Sequence, residues 1–321
     1  MTDANPTQPT TAFVLAGGGS LGAVQVGMLQ ALSVHGIEPD LLVGTSAGAM
    51  NAAWVGAHGM SPDSLERLAE IWTRLKRREV FPLDVRVALR GVLGLTAAVI
   101  PDHRLRGLIA SCAGIETLEE STIPVHLVTC DLVTGQPVLV STGPVVDGVL
   151  ASAALPGIFT PVRRDGRLLI DGGVADHTGV TAAIGLGAKR IYVLPTGTPC
   201  ALVRPPTSAV GTALHALTLV IQQRLAHEIA DHTADVTIKV LPPLCPLNVS
   251  AVDFSHAAEL VARSRVAADE WIASGDIDLP APERFLAAHR HSQPSGIRNG
   301  PYAAELGPRP TLSGRSTAST G

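Results

Sequence analysis

Short apolar runs alternate with stretches of helical spacing along most of the chain. Thr11 to Ala16 reads as a strand, Leu21 to about His35 as a helix, Leu41 to Thr45 as a second strand, and Ser46 to about His58 as a second helix. That βαβα order predicts an α/β fold of three layers, a mostly parallel central sheet with helices on both faces. Ser61-Pro62-Asp63 offers an N-cap, a proline at the first helical position and an early acid. Leu65, Leu68, Ile71, Trp72 and Leu75 follow at helical spacing, so an amphipathic covering helix is expected. From Phe81 to Ser111 come two helical patterns split by Pro101 and no strand, which predicts a helical insertion able to cap a site. Strand signals resume at Pro124 to Cys130 and Gln136 to Ser141, joined by Asp131 to Gly135, and at Leu168 to Ile170 after the Asp165-Gly166 turn. Arg190 to Leu194 and Val236 to Leu241 complete the strands, separated by a long helix near Thr207 to His232. A last helix spans about Ser255 to Ser274.

Both ends, residues 1–10 and 291–321, are rich in Pro, Gly, Ser and Thr and poor in large apolar side chains, so they are expected to be disordered around a single domain at 11–290. Neither an internal repeat nor a linker between two cores is visible. With 321 residues, 46% of them hydrophobic and 16% charged, the chain can bury a large core. The formal net charge of -4 is interspersed, with no like-charge block beyond Lys76-Arg77-Arg78, which argues against a nucleic-acid partner. Cys112, Cys130, Cys200 and Cys245 lie far apart, without histidine at ligand spacing, so neither a disulfide framework nor a metal site is expected. Met1 to Thr10 lacks a secretory profile, and the apolar stretches Gly91 to Ile100 and Ala209 to Ile221 fall short of the roughly 18 residues that span a bilayer. A cytoplasmic protein is expected, with room in its aliphatic composition for peripheral contact with a membrane. Oligomeric state leaves no mark on the sequence.

Candidate chemistry begins at Gly17-Gly18-Gly19-Ser20-Leu21-Gly22, between a strand and a helix. Glycines let the backbone turn sharply and bring its N–H groups against a ligand, and the helix start favours an anion. Gly17, Gly19 and Gly22 also satisfy G-x-G-x-x-G, so a dinucleotide-binding protein is one reading, with Asp40 as its ribose ligand. Asp40, however, precedes the second strand, whereas the ribose acid belongs at that strand's far end. Gly44-Thr45-Ser46-Ala47-Gly48 closes a short apolar strand and opens a helix, the setting of a nucleophile elbow. A serine needs a base to take its proton. Asp171, in Leu169-Ile170-Asp171-Gly172-Gly173, ends an apolar strand and can emerge at a sheet edge; His177 follows shortly after, and His215, His227, His232 and His256 fall in helical patterns. An ordinary helix N-cap at Ser46 and an ordinary turn aspartate at Asp171 are the structural alternatives.

These blocks together resemble the patatin-like phospholipase family, lipid acyl hydrolases with a Ser-Asp dyad, over about Phe13 to Leu194. The resemblance implies that Ser46 is the nucleophile and Asp171 the base, and that Gly17, Gly18, Gly19 and Ser20 form an oxyanion hole. Gly22, Gly44, Gly48, Gly172 and Gly173 complete the motifs, and Ala151-Ser152-Ala153-Ala154-Leu155-Pro156 is similar to the family's proline-containing block. It also implies a lipid or other acyl-ester substrate and no cofactor. Leu21 stands where the family usually has Arg or Lys, and His177 and Gly179 where many members have Asn and Pro. A non-catalytic lipid sensor is the reading that Leu21 motivates. Asp131 reads as a turn residue.

Overall fold

The computed structural model describes residues 10–279 apart from 83, 176–178, 201, 203–204 and 233–235, together with 282 and 286. His177 and, Thr10 excepted, the two terminal segments expected to be disordered lie outside the described residues. In chain order the elements are β1 (Thr11–Leu15), α1 (Ala23–Val34), β2 (Leu41–Gly44), α2 (Ala47–His58), α3 (Pro62–Arg74), α4 (Arg77–Val80), α5 (Val85–Val92) and α6 (His103–Ala113). Then follow β3 (Val125–Asp131), β4 (Pro137–Val140), α7 (Val145–Ser152), β5 (Val162–Arg164), β6 (Arg167–Asp171), α8 (Gly179–Gly185), β7 (Arg190–Leu194), α9 (Ala209–His232), β8 (Thr237–Val240) and α10 (Ala257–Ala273).

The expected parallel core is present. β1 pairs in parallel with β2 and β7, β2 with β3, and β7 with β8, while β4, β5 and β6 add antiparallel pairings beyond β2. Every position of β1 is buried. Because side chains alternate across a strand, Phe13 and Leu15 enter the apolar layer shared with α1, α2 and α3, whereas Ala12 and Val14 pack with Val180 of α8 and with Leu225 and Ile229 of α9. The covering helix begins as its sequence dictates: Ser61 Oγ accepts from Ser64 N at 3.3 Å, Pro62 opens the helix, and Leu65, Leu68 and Trp72 face inward.

The sequence pattern predicts neither α4, α7, β5 nor α8. In α7 the adjacent β-branched Val145 and Val146 and the central Gly148 hide the helical period; Gly148 is tolerated because an added Cβ would lie 3.0 Å from Leu127. One feature of the sheet positions the site. Leu42 N donates to Pro124 O and Leu132 N to Leu168 O, whereas Asp131 N donates to Gln136 O. Alternate residues of a strand bond to opposite sides, so β2 and β6 lie along one edge of β3 and β4 along the other. β2 runs parallel to β3 and stops at Gly44, opposite Leu127; β6 runs antiparallel and stops at Asp171, opposite Thr129. Their C-terminal ends therefore meet head-on across Val128.

Candidate active site

Ser46 follows the end of β2 and precedes α2 with φ 54° and ψ −119°, a conformation that costs a non-glycine residue of order 1–3 kcal/mol. The turn can be this tight because the residues two positions away on either side, Gly44 and Gly48, lack side chains. A Cβ at Gly48 would overlap the Leu15 carbonyl of β1, and one at Gly44 would lie 2.6 Å from Gly48 O. Ser46 N donates to Ser152 Oγ at 3.0 Å, and Ser152 Oγ in turn donates to Val128 O at 2.7 Å. The fully buried Ser152 thus satisfies the strand carbonyl left over where β2 stops and β6 has not begun, and ties the bend to it.

Asp171 ends β6 with no solvent exposure. Its backbone N–H donates to Ala154 O at 2.9 Å, so the segment at the end of α7 holds the backbone of both Ser46 and Asp171. Oδ1 accepts from Gly173 N at 2.8 Å, and Oδ2 has no hydrogen-bond partner among the described residues. Burial raises the carboxyl to about 6, against the opposing pull of the Ser46 hydroxyl and the Gly173 N–H. The Asp-Gly-Gly spacing has its own local cause: a Cβ at Gly172 would overlap Val128 O, and one at Gly173 would lie 2.5 Å from Ile221 Cδ1 of α9. Arg224, one turn further along α9, donates to Val174 O at 2.9 Å and also to Ala175 O, pinning the turn after Asp171.

The glycine loop lies beside this pair: a Cβ at Gly17 would sit 3.2 Å from Ser46 Cβ. Thr196 Oγ1 donates to Gly17 O at 2.7 Å. Gly19 takes φ 59° and passes so close to Ala251 O that only a glycine fits. The backbone N–H groups of Gly17, Gly18 and Gly19 have no acceptor among the described residues. Ser20 departs from the expected set: its N–H donates to Ala251 O at 2.8 Å and its hydroxyl to Ser250 O at 3.0 Å, so its donors anchor the loop instead of facing a ligand. Conversely, Ala47 N–H at the start of α2 has no acceptor among the described residues and stands next to Ser46. The position after an elbow nucleophile is the one signal that points to it in sequence.

Behind the loop lies a buried polar relay. Trp72 Nε1 donates to Asn51 Oδ1 at 2.8 Å, Asn51 Nδ2 to Gln25 Oε1 at 2.8 Å and to Gly22 O at 3.0 Å, and Gln25 Nε2 to Ala16 O at 2.8 Å. Gly22 supports the motif by its close approach to Trp72, because a Cβ there would lie 2.6 Å from the indole ring. Leu21, fully buried in the core, could not present a charge to a ligand even if it were basic at this depth without rebuilding the packing. Asp40 Oδ2 accepts from Thr11 N at 2.7 Å as a cap at the N-terminal end of the parallel strands, the end opposite the glycine loop that follows β1, so it does not reach that loop as a ribose ligand. Asp131 Oδ1 accepts from Val133 N at 2.9 Å, the turn role its position suggests.

Ser46, Gly19 and Ala47 open into an apolar cavity walled by Met50, Phe81, Leu155, Phe159 and Phe254. No histidine lines it among the described residues, and His256 instead lies 3.3 Å from Glu259. A second apolar cavity, between α2, α3, α6 and α7, shares Met50 and Trp72 with the first. Among the described residues no group of three His, Cys, Asp or Glu side chains could hold a metal ion. The arrangement joins an alcohol on a strained bend, a carboxyl of raised basicity, unengaged amide donors and an apolar chamber.

The patatin-like phospholipase family model matches residues 13–184. An uncharacterised NTE family protein of Mycobacterium tuberculosis is 29% identical over 183 residues, 57% of this chain and 48% of that protein. Lysophospholipase nte1 of Aspergillus terreus is 30% identical over 192 residues, 58% of this chain but 12% of the fungal one. The chain therefore spans about half the length of the mycobacterial relative. Among solved structures, VipD from Legionella pneumophila aligns over 87% of this chain and 67% of its own, with a TM-score of 0.44 and 15% identity.

Proposed function

The chain belongs to the patatin-like phospholipase family, and from that premise we propose that it is a serine hydrolase of lipid acyl esters, with Ser46 as nucleophile and Asp171 as its base. The observation that carries this reading is the pairing of a strained Ser46 with a fully buried, partly unpartnered Asp171. A serine hydroxyl is inert near neutral pH without a proton acceptor. At about 6, Asp171 binds a proton roughly a hundredfold more tightly than an ordinary aspartate, yet is still ionised at neutral pH.

In the proposed cycle Ser46 Oγ attacks the ester carbonyl carbon while Asp171 takes the hydroxyl proton. The amides of Gly17, Gly18, Gly19 and Ala47 supply the donors for the tetrahedral oxyanion, and loss of one such donor costs about 100- to 1,000-fold in turnover. The proton returns from Asp171 to the leaving alcohol, giving an acyl-Ser46 ester. Water, deprotonated by Asp171, then attacks the acyl carbon, and the proton passes from Asp171 to Ser46 Oγ as the acyl–oxygen bond breaks and the fatty acid leaves. The aromatic and aliphatic cavity next to Ser46 suits an acyl chain. No helix among the described residues is long and apolar enough to cross a membrane, and we place the protein at the lipid surface as a peripheral visitor.

Labelling with a fluorophosphonate and hydrolysis of p-nitrophenyl butyrate and lysophosphatidylcholine test the reading. Wild type is expected to label and to turn over, and Ser46→Ala to do neither while folding normally. Activity retained by a folded Ser46→Ala would refute it. A non-catalytic lipid-binding protein would fail both assays with its wild-type sequence.

A further inference from the structure

Charge and exposure are unevenly placed on this molecule. From Lys76 to Arg106, seven Lys and Arg side chains stand against three acidic ones, a net of +4 in a chain whose total is -4. Within that segment Val85, Leu89, Leu93 and Leu95 are 80%, 57%, 62% and 65% exposed, whereas elsewhere among the described residues exposed large aliphatic side chains come singly or as the adjacent pairs Leu132-Val133 and Leu219-Val220. Val85, Leu89 and Leu93 recur every four residues and so form one stripe along α5 and its C-terminal turn. Arg86 and Arg90 repeat at the same interval on the adjoining stripe, exposed and without an ion pair among the described residues. Lys76, Arg77 and Arg78 are exposed nearby in sequence.

The segment is also anchored to the Ser46 cavity at both ends. Val80 and Phe81 before α5 and Leu105 after it line that cavity. We propose that α5 and the turn that follows, residues 85–95, form the face by which this protein docks on anionic membranes, delivering the cavity to its lipid. This deepens the lipid-hydrolase reading and rests on it for the purpose of docking. An amphipathic helix with aliphatics on one stripe and arginines beside it lies in the lipid interface, apolar side down, with its cations among the headgroups. A second copy of the chain is a poorer occupant, because four side chains on two helical turns fall far short of the roughly 800 Å² per partner of a standard interface.

Co-sedimentation of the full chain with vesicles tests this, using phosphatidylcholine alone and phosphatidylcholine with about a third phosphatidylglycerol. Wild type is expected to bind the anionic vesicles at least tenfold more tightly, and salt to weaken that binding. Each arginine near the surface is worth roughly fivefold, so Arg86→Ala with Arg90→Ala is expected to lose roughly 10- to 30-fold. Leu89→Asp with Leu93→Asp is expected to abolish binding, while both double variants keep wild-type turnover of soluble p-nitrophenyl butyrate. Equal binding to the two vesicle types, no binding at all, or variants that bind like wild type would overturn the proposal. So would a dimer dispersed by Leu89→Asp and Leu93→Asp in a protein that ignores vesicles. Should the leucine variant fail to fold, the arginine variant decides alone. A wild type that binds anionic vesicles but hydrolyses no soluble ester would instead sink the hydrolase reading and leave the docking face standing.

Discussion

The hydroxyl of Ser152 accepts the backbone N–H of Ser46 at 3.0 Å across 106 positions of sequence. The same hydroxyl caps Val128 O at 2.7 Å, in the gap where β2 and β6 meet end to end. Removing it leaves two buried backbone groups unsatisfied, each at about 1–3 kcal/mol, and frees the bend that aims Ser46. Ser152→Ala is therefore expected to lower kcat about 10- to 100-fold with little change in KM, because displacement of a reacting group by about 1 Å costs on that scale. Ser152→Thr, which keeps the hydroxyl, is expected to recover part of the loss. Steady-state kinetics on a soluble ester checks both; an unchanged kcat in Ser152→Ala would show that the bridge is structural only.

As the proposed base, Asp171 has to be ionised to accept a proton, and burial places that ionisation at about 6. The kcat/KM profile is expected to rise tenfold per pH unit below that value and to level off above it. A profile flat down to pH 4.5 would mean that another group accepts the proton.

The same burial sets a stability cost. Since the folded value lies above that of an exposed aspartate, near 3.9, the native state binds more protons than the unfolded chain between about pH 4 and pH 6. Stability accordingly falls as pH rises through that window and stays lowered above it, by up to about 3 kcal/mol. Asp171→Asn, which retains the acceptor for Gly173 N–H, is expected to be inactive and more stable than wild type at pH 8, with the gain vanishing below pH 4. Urea titrations at the two pH values measure it, and an equal difference at both would exclude ionisation as the cause.

Met50 separates the Ser46 cavity from the one behind it. Met50→Ala is expected to join the two and shift preference toward longer acyl chains, and Met50→Phe to do the reverse, each by roughly tenfold in the ratio of kcat/KM values for p-nitrophenyl dodecanoate and butyrate. A constant ratio across the three proteins would place the acyl chain elsewhere.

Much of this molecule is decided locally and can be read in order along the chain. β1, β2 and the long helices follow from apolar periodicity, α3 starts where Ser61 and Pro62 demand, and Gly44 to Gly48 marks a strand that must turn sharply into a helix. Each of these depends on interactions within a few residues, so its signal survives in the linear pattern. Helix α7 escaped because Val145, Val146 and Gly148 weaken its period, and its stability comes from packing on β3.

Only the tertiary structure decided which donors and bases are available. Ser20 has the right place in the loop, but Ala251, more than two hundred positions later, takes its N–H. Asp40 has the spacing of a ribose ligand, and a strand end claims it. Asp171 acquires its basicity from burial, which no local pattern encodes, and meets Ser46 because two strands of opposite direction end on one edge of β3. Sequence specifies residue types and turns; which hydrogen-bonding groups remain unspent depends on long-range pairing, and at this site that remainder is what the proposed chemistry draws on.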